Sequence, residues 1–404
     1  MHVTPPAQQT ASKTKPGARL SGVPLLDLHR QYQQIRDDIL TAVERVCSSQ
    51  HFILGEEVEA LEREIATFTR TSDAVGCASG TDALWLALVA AGIGPGDAVL
   101  TTPFSFFASA SAIVRAGARP VFADIDPLTL NLDPAKAEAR LHRGASGIRA
   151  ILPVHLYGQC ADMDALRALA KEFHLAIVED AAQAIGAAWR GEHAGSLGKA
   201  AAFSFYPTKN LSAYGEAGLV TTNDPDLAAH MRRLRSHGSP QRYVHEEMGW
   251  NCRLDAIQAA ILRVKLPHVE KWNQQRCERA ATYDRLFRQA GLAHSSHTTE
   301  PTTSSPMLPP HIAAHATPVF HQYVIRAHRR DQLRQFLSGR NIGSEVYYPL
   351  PLHLQPALGC LGYLAGDFPE AERASREVLA LPMFPELTEE EQQMVVNAIA
   401  EFYS

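Results

Sequence analysis

Between residues 74 and 223 the chain alternates short β-like runs with helix-like segments, which predicts an α/β protein on a mostly parallel sheet covered on both faces. Seven β-like runs fall near 74–79, 98–102, 119–125, 150–156, 176–181, 200–205 and 218–223. A second α/β stretch begins at Phe320-His321-Gln322-Tyr323-Val324-Ile325-Arg326 and predicts a smaller C-terminal α/β domain. Sheets of the first kind bind ligands beyond the carboxyl ends of their strands. Asp180, His155 and Ser79-Gly80-Thr81 lie at such ends.

The elements follow in order. Ile35, Ile39, Val43 and Val46 recur at helical spacing, and Val58, Leu61, Ile65 and Phe68 do so after a break at Phe52-Ile53-Leu54-Gly55. Two amphipathic helices therefore precede the sheet. Ala83–Ala91, Phe107–Arg115 and Met163–Phe173 read as helices between strands. From Leu254 a long helical pattern carries Ile257, Ile261, Val264 and Val269, and Gln274 to Phe287 continues it as a bridge between two domains. Helices over Asp331–Ser338 and Glu389–Phe402 complete the smaller domain, with Tyr347–Pro356 between them. This reading divides the chain into a flexible tail at 1–20, a large domain at 21–265 and a small domain at 266–404. Within the last, residues 291–318 are dominated by His, Thr, Ser and Pro, a composition that predicts an exposed, mobile insertion.

At 404 residues the chain can bury a large core. Its 38 basic against 43 acidic residues leave no electrostatic footprint for nucleic acid or an anionic membrane. The cluster Arg232-Arg233-Leu234-Arg235 reads as a solvated helix face. Six cysteines stand without C-x-x-C spacing, as reduced thiols do in a reducing compartment, and no apolar run approaches a membrane-spanning length. These features predict a cytoplasmic protein. His311 and His315 have i, i+4 spacing, but Pro309, Pro310 and Pro318 surround them and no H-E-x-x-H occurs, so no metal site is predicted. Gly92-Ile93-Gly94-Pro95-Gly96 precedes a strand rather than following one, unlike a dinucleotide fingerprint.

The chemistry is read from Ala200-Ala201-Ala202-Phe203-Ser204-Phe205-Tyr206-Pro207-Thr208-Lys209-Asn210. An apolar strand ends at Pro207 and sets Lys209 at the rim of the core, where drying lowers an amine's pKa and frees it to attack a carbonyl. Asp180 closes the strand-like Leu175-Ala176-Ile177-Val178-Glu179, and Gly80 and Thr81 open a helix whose N-terminus suits a phosphate. An amine for an aldehyde, an acid for a pyridine nitrogen and a phosphate turn are the parts that pyridoxal 5'-phosphate chemistry needs. A flat ring from Phe104-Ser105-Phe106-Phe107 would cover the cofactor's open face.

With these motifs, and Val178-Glu179-Asp180-Ala181-Ala182-Gln183-Ala184 above all, the chain from about Pro24 onward resembles the nucleotide-sugar aminotransferases of the DegT/StrS type. The resemblance implies fold type I, the aspartate-aminotransferase-like three-layer architecture. It implies that Gln183 lies against the cofactor's ring oxygen, that Phe106, or alternatively Phe107, is the covering ring, that Gly80, Thr81 and Ser204 hold the phosphate, and that Asn251 reaches it from the neighbouring subunit of a homodimer. It also places Arg253, Tyr348 and His353 on the substrate side, glutamate and 2-oxoglutarate as donor pair, and a nucleotide-linked keto sugar as acceptor. The run from Arg253 to Leu266 is most similar to members acting on a dTDP-3-keto-6-deoxyhexose, with a 4-keto sugar as the alternative. Related dehydratases have histidine where Lys209 stands, and a purely binding protein would not need that lysine. Glu216-Ala217-Gly218 departs from the family's pattern, in which a second glycine is frequent.

Overall fold

The computed structural model describes residues 22–144, 147–293, 299–303 and 305–404. The tail expected over 1–20 and part of the 291–318 segment lie outside these. All seven expected strands are present in one sheet. Across it run Asp73–Cys77, Gly218–Thr222, Ala200–Ser204, Ala176–Asp180, Ile148–Leu152, Ala98–Thr101 and Arg119–Phe122. Gly218–Thr222 is antiparallel to both neighbours, and the remaining pairs are parallel. The fold is thus α/β with a mostly parallel central sheet.

Register decides what meets at the edge. Cys77 and Ser204 both stand opposite Gly218, and Asp180 stands opposite Ala202. The carboxyl ends of three strands therefore lie level, and the loops bearing Ser79-Gly80-Thr81, Ala181–Gln183 and Phe205–Lys209 leave from one rim. Beneath it Phe203, Phe205 and Phe104 are fully buried, so the rim rests on a packed floor. Leu28–Ser49 and Glu56–Thr69 are the two leading helices, each turning its aliphatic positions inward.

Three helices escaped the periodicity reading: Pro134–His142, Pro225–Leu234 and Pro369–Glu377. Each begins with proline, and the first two carry an aspartate cap, a start signal that outweighs short, weakly apolar faces. The basic cluster that closes Pro225–Leu234 is not a wholly solvated face. Arg235 is buried and bonds Glu62 Oε1 at 2.5 Å and the Gly76 carbonyl at 2.7 Å. A guanidinium there satisfies a carboxylate whose other bond goes to the Gly76 N–H.

The second sheet pairs Met307–Leu308 with Tyr323–Ala327 and that strand with Val378–Leu381, all antiparallel. The helix Val269–Gln289 packs Tyr283 and Phe287 on Tyr323, with centroids 4.9 and 6.4 Å away. Residues 291–318 were expected to be exposed, and among the described ones His311, Ile312, Ala314 and His315 are, while others are built into the fold. Met307 is buried, Ala316–Thr317 pairs with Ala188–Trp189, and the Gln159 amide bonds His311 O and Ala313 N at 3.0 Å each. Backbone ladders are indifferent to a polar composition, which explains the difference. Among the described residues no helix is long and apolar enough to cross a membrane, and no cluster of three or more potential metal ligands occurs.

Candidate active site

Asp180 is the buried anchor. Ser109 Oγ donates to its Oδ2 at 2.7 Å, and the Ala182 N–H to its Oδ1 at 3.2 Å. Burial pushes its carboxyl pKa up, while Ser109, Ala182, Lys209 and His155 pull it back. Such a carboxyl has an unmet need for a cationic partner, as a protonated pyridine would supply. Behind it, Glu179 accepts from the N–H groups of Gly195, Leu197 and Gly198 at 2.7–2.9 Å. The Ala161 N–H donates to His155 Nδ1 at 3.2 Å, so the imidazole proton sits on Nε2 and donates to Glu179 at 3.0 Å. These bonds leave Asp180 as the acid that faces the rim.

Lys209 follows Phe205 on a turn closed by its own N–H to Tyr206 O at 2.8 Å. The residue is partly exposed, yet burial of its amine pushes the pKa down to about 8, against a smaller upward pull from Asp180. The next residue is fixed by a directional chain. Ile185 O can only accept, so Asn273 Nδ2 donates to it at 2.9 Å and Asn273 Oδ1 accepts from Asn210 Nδ2 at 2.8 Å. Asn210 Oδ1 must then accept from His321 Nδ1 at 3.2 Å. Burial and the cations Lys209 and Arg276 hold His321 well below its ordinary pKa, so its ring is neutral. Neither His321 nor Asn273 was singled out from sequence. Asn210 stands next to the lysine in sequence, and that adjacency is the available signal.

The helix Gly80–Ala90 points its N-terminus at the same rim. Ser79 Oγ accepts from the Asp82 N–H at 3.1 Å, which leaves the N–H groups of Gly80 and Thr81 without an intrahelical acceptor. Asp82 would repel an anion there, but Arg115 pairs with it at 2.5 Å. A Cβ on Gly80 would lie 2.6 Å from Ser204 Cβ, so glycine lets strand and helix close into one cradle. Gly218 is equally constrained, since a Cβ would run into the Ser79 backbone. Ala217 adopts no left-handed backbone, so the missing second glycine is without consequence.

Gln183 completes the group. Its Oε1 accepts from the Tyr157 N–H at 2.6 Å and its Nε2 reaches the Tyr348 hydroxyl at 3.2 Å. Phe106 is 57% exposed and tilts toward Tyr348 at 6.1 Å, while Phe107 packs against the core. Phe106 is therefore the ring with a free face. A buried acid, a dried amine, a cradle with free N–H groups and a flat ring on one rim fit pyridoxal phosphate.

Comparison with known proteins decides the lineage: the profile of the DegT/DnrJ/EryC1/StrS aminotransferase family matches residues 33–400. The chain belongs to that family. It is a pyridoxal 5'-phosphate-dependent aminotransferase of fold type I. A protein of Geobacillus stearothermophilus named pleiotropic regulatory protein is 51% identical over 94% of this chain and 98% of its own. The dTDP-3-amino-3,4,6-trideoxy-alpha-D-glucose transaminase of Streptomyces venezuelae is 43% identical over 94% and 96%. The crystal structure of S. venezuelae DesV, in complex with a ketimine intermediate, superposes with a TM-score of 0.88 at 43% identity, over 95% of this chain and 98% of that one.

Three residues expected at the aminotransferase's site stand apart from this group. Asn251 is exposed and bonded to Arg253 Nε at 3.0 Å, and no described bond joins either to Lys209 or Asp180 within the chain. His353 is buried, with Nε2 3.1 Å from Glu372 and its ring 4.8 Å from Phe368. Both of these contacts are internal to the chain, and His353 Nδ1 has no hydrogen-bond partner among the described residues.

Proposed function

We propose that this aminotransferase moves an amino group from glutamate to a nucleotide-linked keto sugar, a dTDP-3-keto-6-deoxyhexose, in the cytoplasm and as a homodimer with shared sites. The observation that carries the chemistry is the dried Lys209 amine facing buried Asp180 on one rim. The sugar class is supported by the S. venezuelae relative, which is named for a dTDP-linked 3-amino sugar. Pyridoxal phosphate, when bound, supplies an aldehyde that accepts the amino group and a ring that withdraws electrons. Lys209 Nζ would hold the cofactor and, as a free amine, would be the base that takes the α-proton of glutamate and the acid that returns a proton to the sugar carbon. Asp180 keeps the pyridine proton in place. Gly80, Thr81 and Ser204 bind the phosphate, and Phe106 excludes water from one ring face. Asn251, which is exposed, and Arg253, which is half-buried and bonded to it, are suited to serve a second copy's site.

The test is turnover with glutamate against a panel of nucleotide-linked 3-keto and 4-keto sugars, with products assigned by NMR. A 3-amino sugar and 2-oxoglutarate are expected, and Lys209→Ala should lower the rate by about 10²–10⁴-fold or more. Exclusive amination at carbon 4 refutes the sugar assignment. No amine transfer across the panel, from protein that retains cofactor, refutes the acceptor class. The regulatory name of one relative favours a binding role, but a dried amine beside an acid is more than a binder requires.

A further inference from the structure

No hydrogen bond to the Lys209 amine occurs among the described residues; burial and Asp180 are what act on it. The amine is therefore placed by its own backbone. On one side that backbone is the turn closed by the Lys209 N–H on Tyr206 O. On the other stands Asn210, whose buried amide uses both its protons and its oxygen. Its Nδ2 donates to Asn273 Oδ1 at 2.8 Å and to Val319 O at 3.2 Å, and its Oδ1 accepts from His321 Nδ1 at 3.2 Å. Asn273 passes the chain on to Ile185 O at 2.9 Å, on the loop that leaves Asp180. Gly186 makes room for that bond, since a Cβ there would lie 2.6 Å from Asn273 Nδ2. The far end is held as firmly, because Arg276 Nη1 donates to the carbonyls of Phe320 and His321 at 3.2 Å each. Asn273 and Arg276 are both buried residues of the one helix Val269–Gln289. The chain can run in one direction only, since Ile185 O cannot donate. It joins the loop after the acid, the turn that carries the amine and the entry to the strand Tyr323–Ala327.

We propose that Asn210, Asn273 and His321 are positioning residues for the amine transfer: their strut fixes where the Lys209 amine stands against Asp180 and keeps water out of its place. The inference rests on the reading that Lys209 and Asp180 serve the cofactor. A lysine stem is flexible, so an amine with no partner of its own keeps one position only if the backbone beneath it cannot turn. The titratable or charged groups around it are Asp180 on the sheet, His321 before the small domain's strand and Arg276 on the bridging helix. His321 is neutral beside the cations Lys209 and Arg276, so the strut gains a donor without gaining a charge. Cutting the strut leaves a buried carbonyl and a buried amide without partners, which draws water into the turn. Burial acts on the amine more strongly than Asp180 does. Re-wetting therefore outweighs any lost attraction, and the Lys209 pKa rises when the strut is cut.

The experiment follows the rate at which trinitrobenzenesulfonate labels Lys209 in the cofactor-free full chain, read by peptide mass across a pH series. Only the unprotonated amine reacts, so the midpoint of the profile is the lysine's pKa, with about 8 expected for wild type. Asn273→Leu, of nearly the same size but without hydrogen bonds, should raise the midpoint by about one pH unit. His321→Leu should do the same. His321→Asn, which returns an amide N–H to the place of Nδ1, should stay within about 0.3 unit of wild type. Denaturant melts of each variant confine the comparison to folded protein. Midpoints that do not move in either leucine variant overturn the proposal. Equal shifts in His321→Leu and His321→Asn give His321 a packing part alone and also overturn it. Should the leucine variants not fold, Asn273→Ser, too short to reach Ile185 O and Asn210 together, decides in their place by the same shift or its absence. A wild-type midpoint at the ordinary 10.5 would refute the dried-amine reading itself, an outcome distinct from variants that match a wild type near 8.

Discussion

Two lysines lose their solvent in this fold, and their partners set different uses. Lys209 faces Asp180, and its amine, at about 8, is poised near neutral pH. Ser109 steadies that acid, so Ser109→Ala should raise the Asp180 pKa further and weaken cofactor retention, as measured by carboxyl NMR titration and by cofactor dissociation. Lys265 is 2% exposed, donates to Ser212 O at 2.8 Å and to Ser212 Oγ at 3.0 Å, and lies over the Tyr214 ring. Burial lowers its pKa to about 7 from an ordinary 10.5. Between those values the unfolded chain binds a proton that the folded chain does not, so stability rises with pH; below about 7 the full penalty of the buried charge is present. Lys265→Met removes this dependence. From pH 7.5 to 9 the stability of wild type relative to Lys265→Met should climb by about 2 kcal/mol, read from denaturant melts.

The site depends on two elements touching without a Cβ between them. Gly80 opens its helix against the last residue of Ala200–Ser204, and neither backbone can retreat from the sheet. Gly80→Ala should destabilise the protein by about 1–3 kcal/mol and weaken cofactor binding, since the helix must shift to admit the methyl. Gly339 ends the helix Arg330–Gly339 with nothing near its would-be Cβ and no left-handed backbone. Gly339→Ala is therefore the control and should change the melting temperature little or raise it. Thermal melts of both variants, with and without cofactor, make the comparison.

The shared site proposed above gives the whole molecule a distinctive signature. Lys209→Ala removes one copy's amine and Asn251→Ala the group supplied to its neighbour, so each variant alone should be nearly inactive. Mixed, unfolded and refolded together, they should recover about a quarter of wild-type activity, because half the dimers formed hold one intact site of two. Recovery near zero would mean that each chain completes its own site. Sedimentation of the wild type should report a dimer.

The sheet and its chemistry were legible along the chain because each rests on neighbours in sequence. All seven strands are short apolar runs closed by turn residues, and Lys209, Asp180 and Ser79-Gly80-Thr81 sit at their carboxyl ends, so alternation alone set them near one rim. Gly80 against Ser204, Asn210 against His321 and Arg235 against Glu62 join residues more than a hundred positions apart, and no local pattern records such pairings. His353 shows the same limit from the other side, since a histidine in a motif has no intrinsic direction until Glu372 and Phe368 enclose it. Tyr348 acquired its orientation from a backbone N–H at Tyr157 acting through Gln183. Periodicity and turn chemistry are properties of adjacent residues, whereas hydrogen-bond direction, burial and the pKa values that follow belong to atoms brought together by packing.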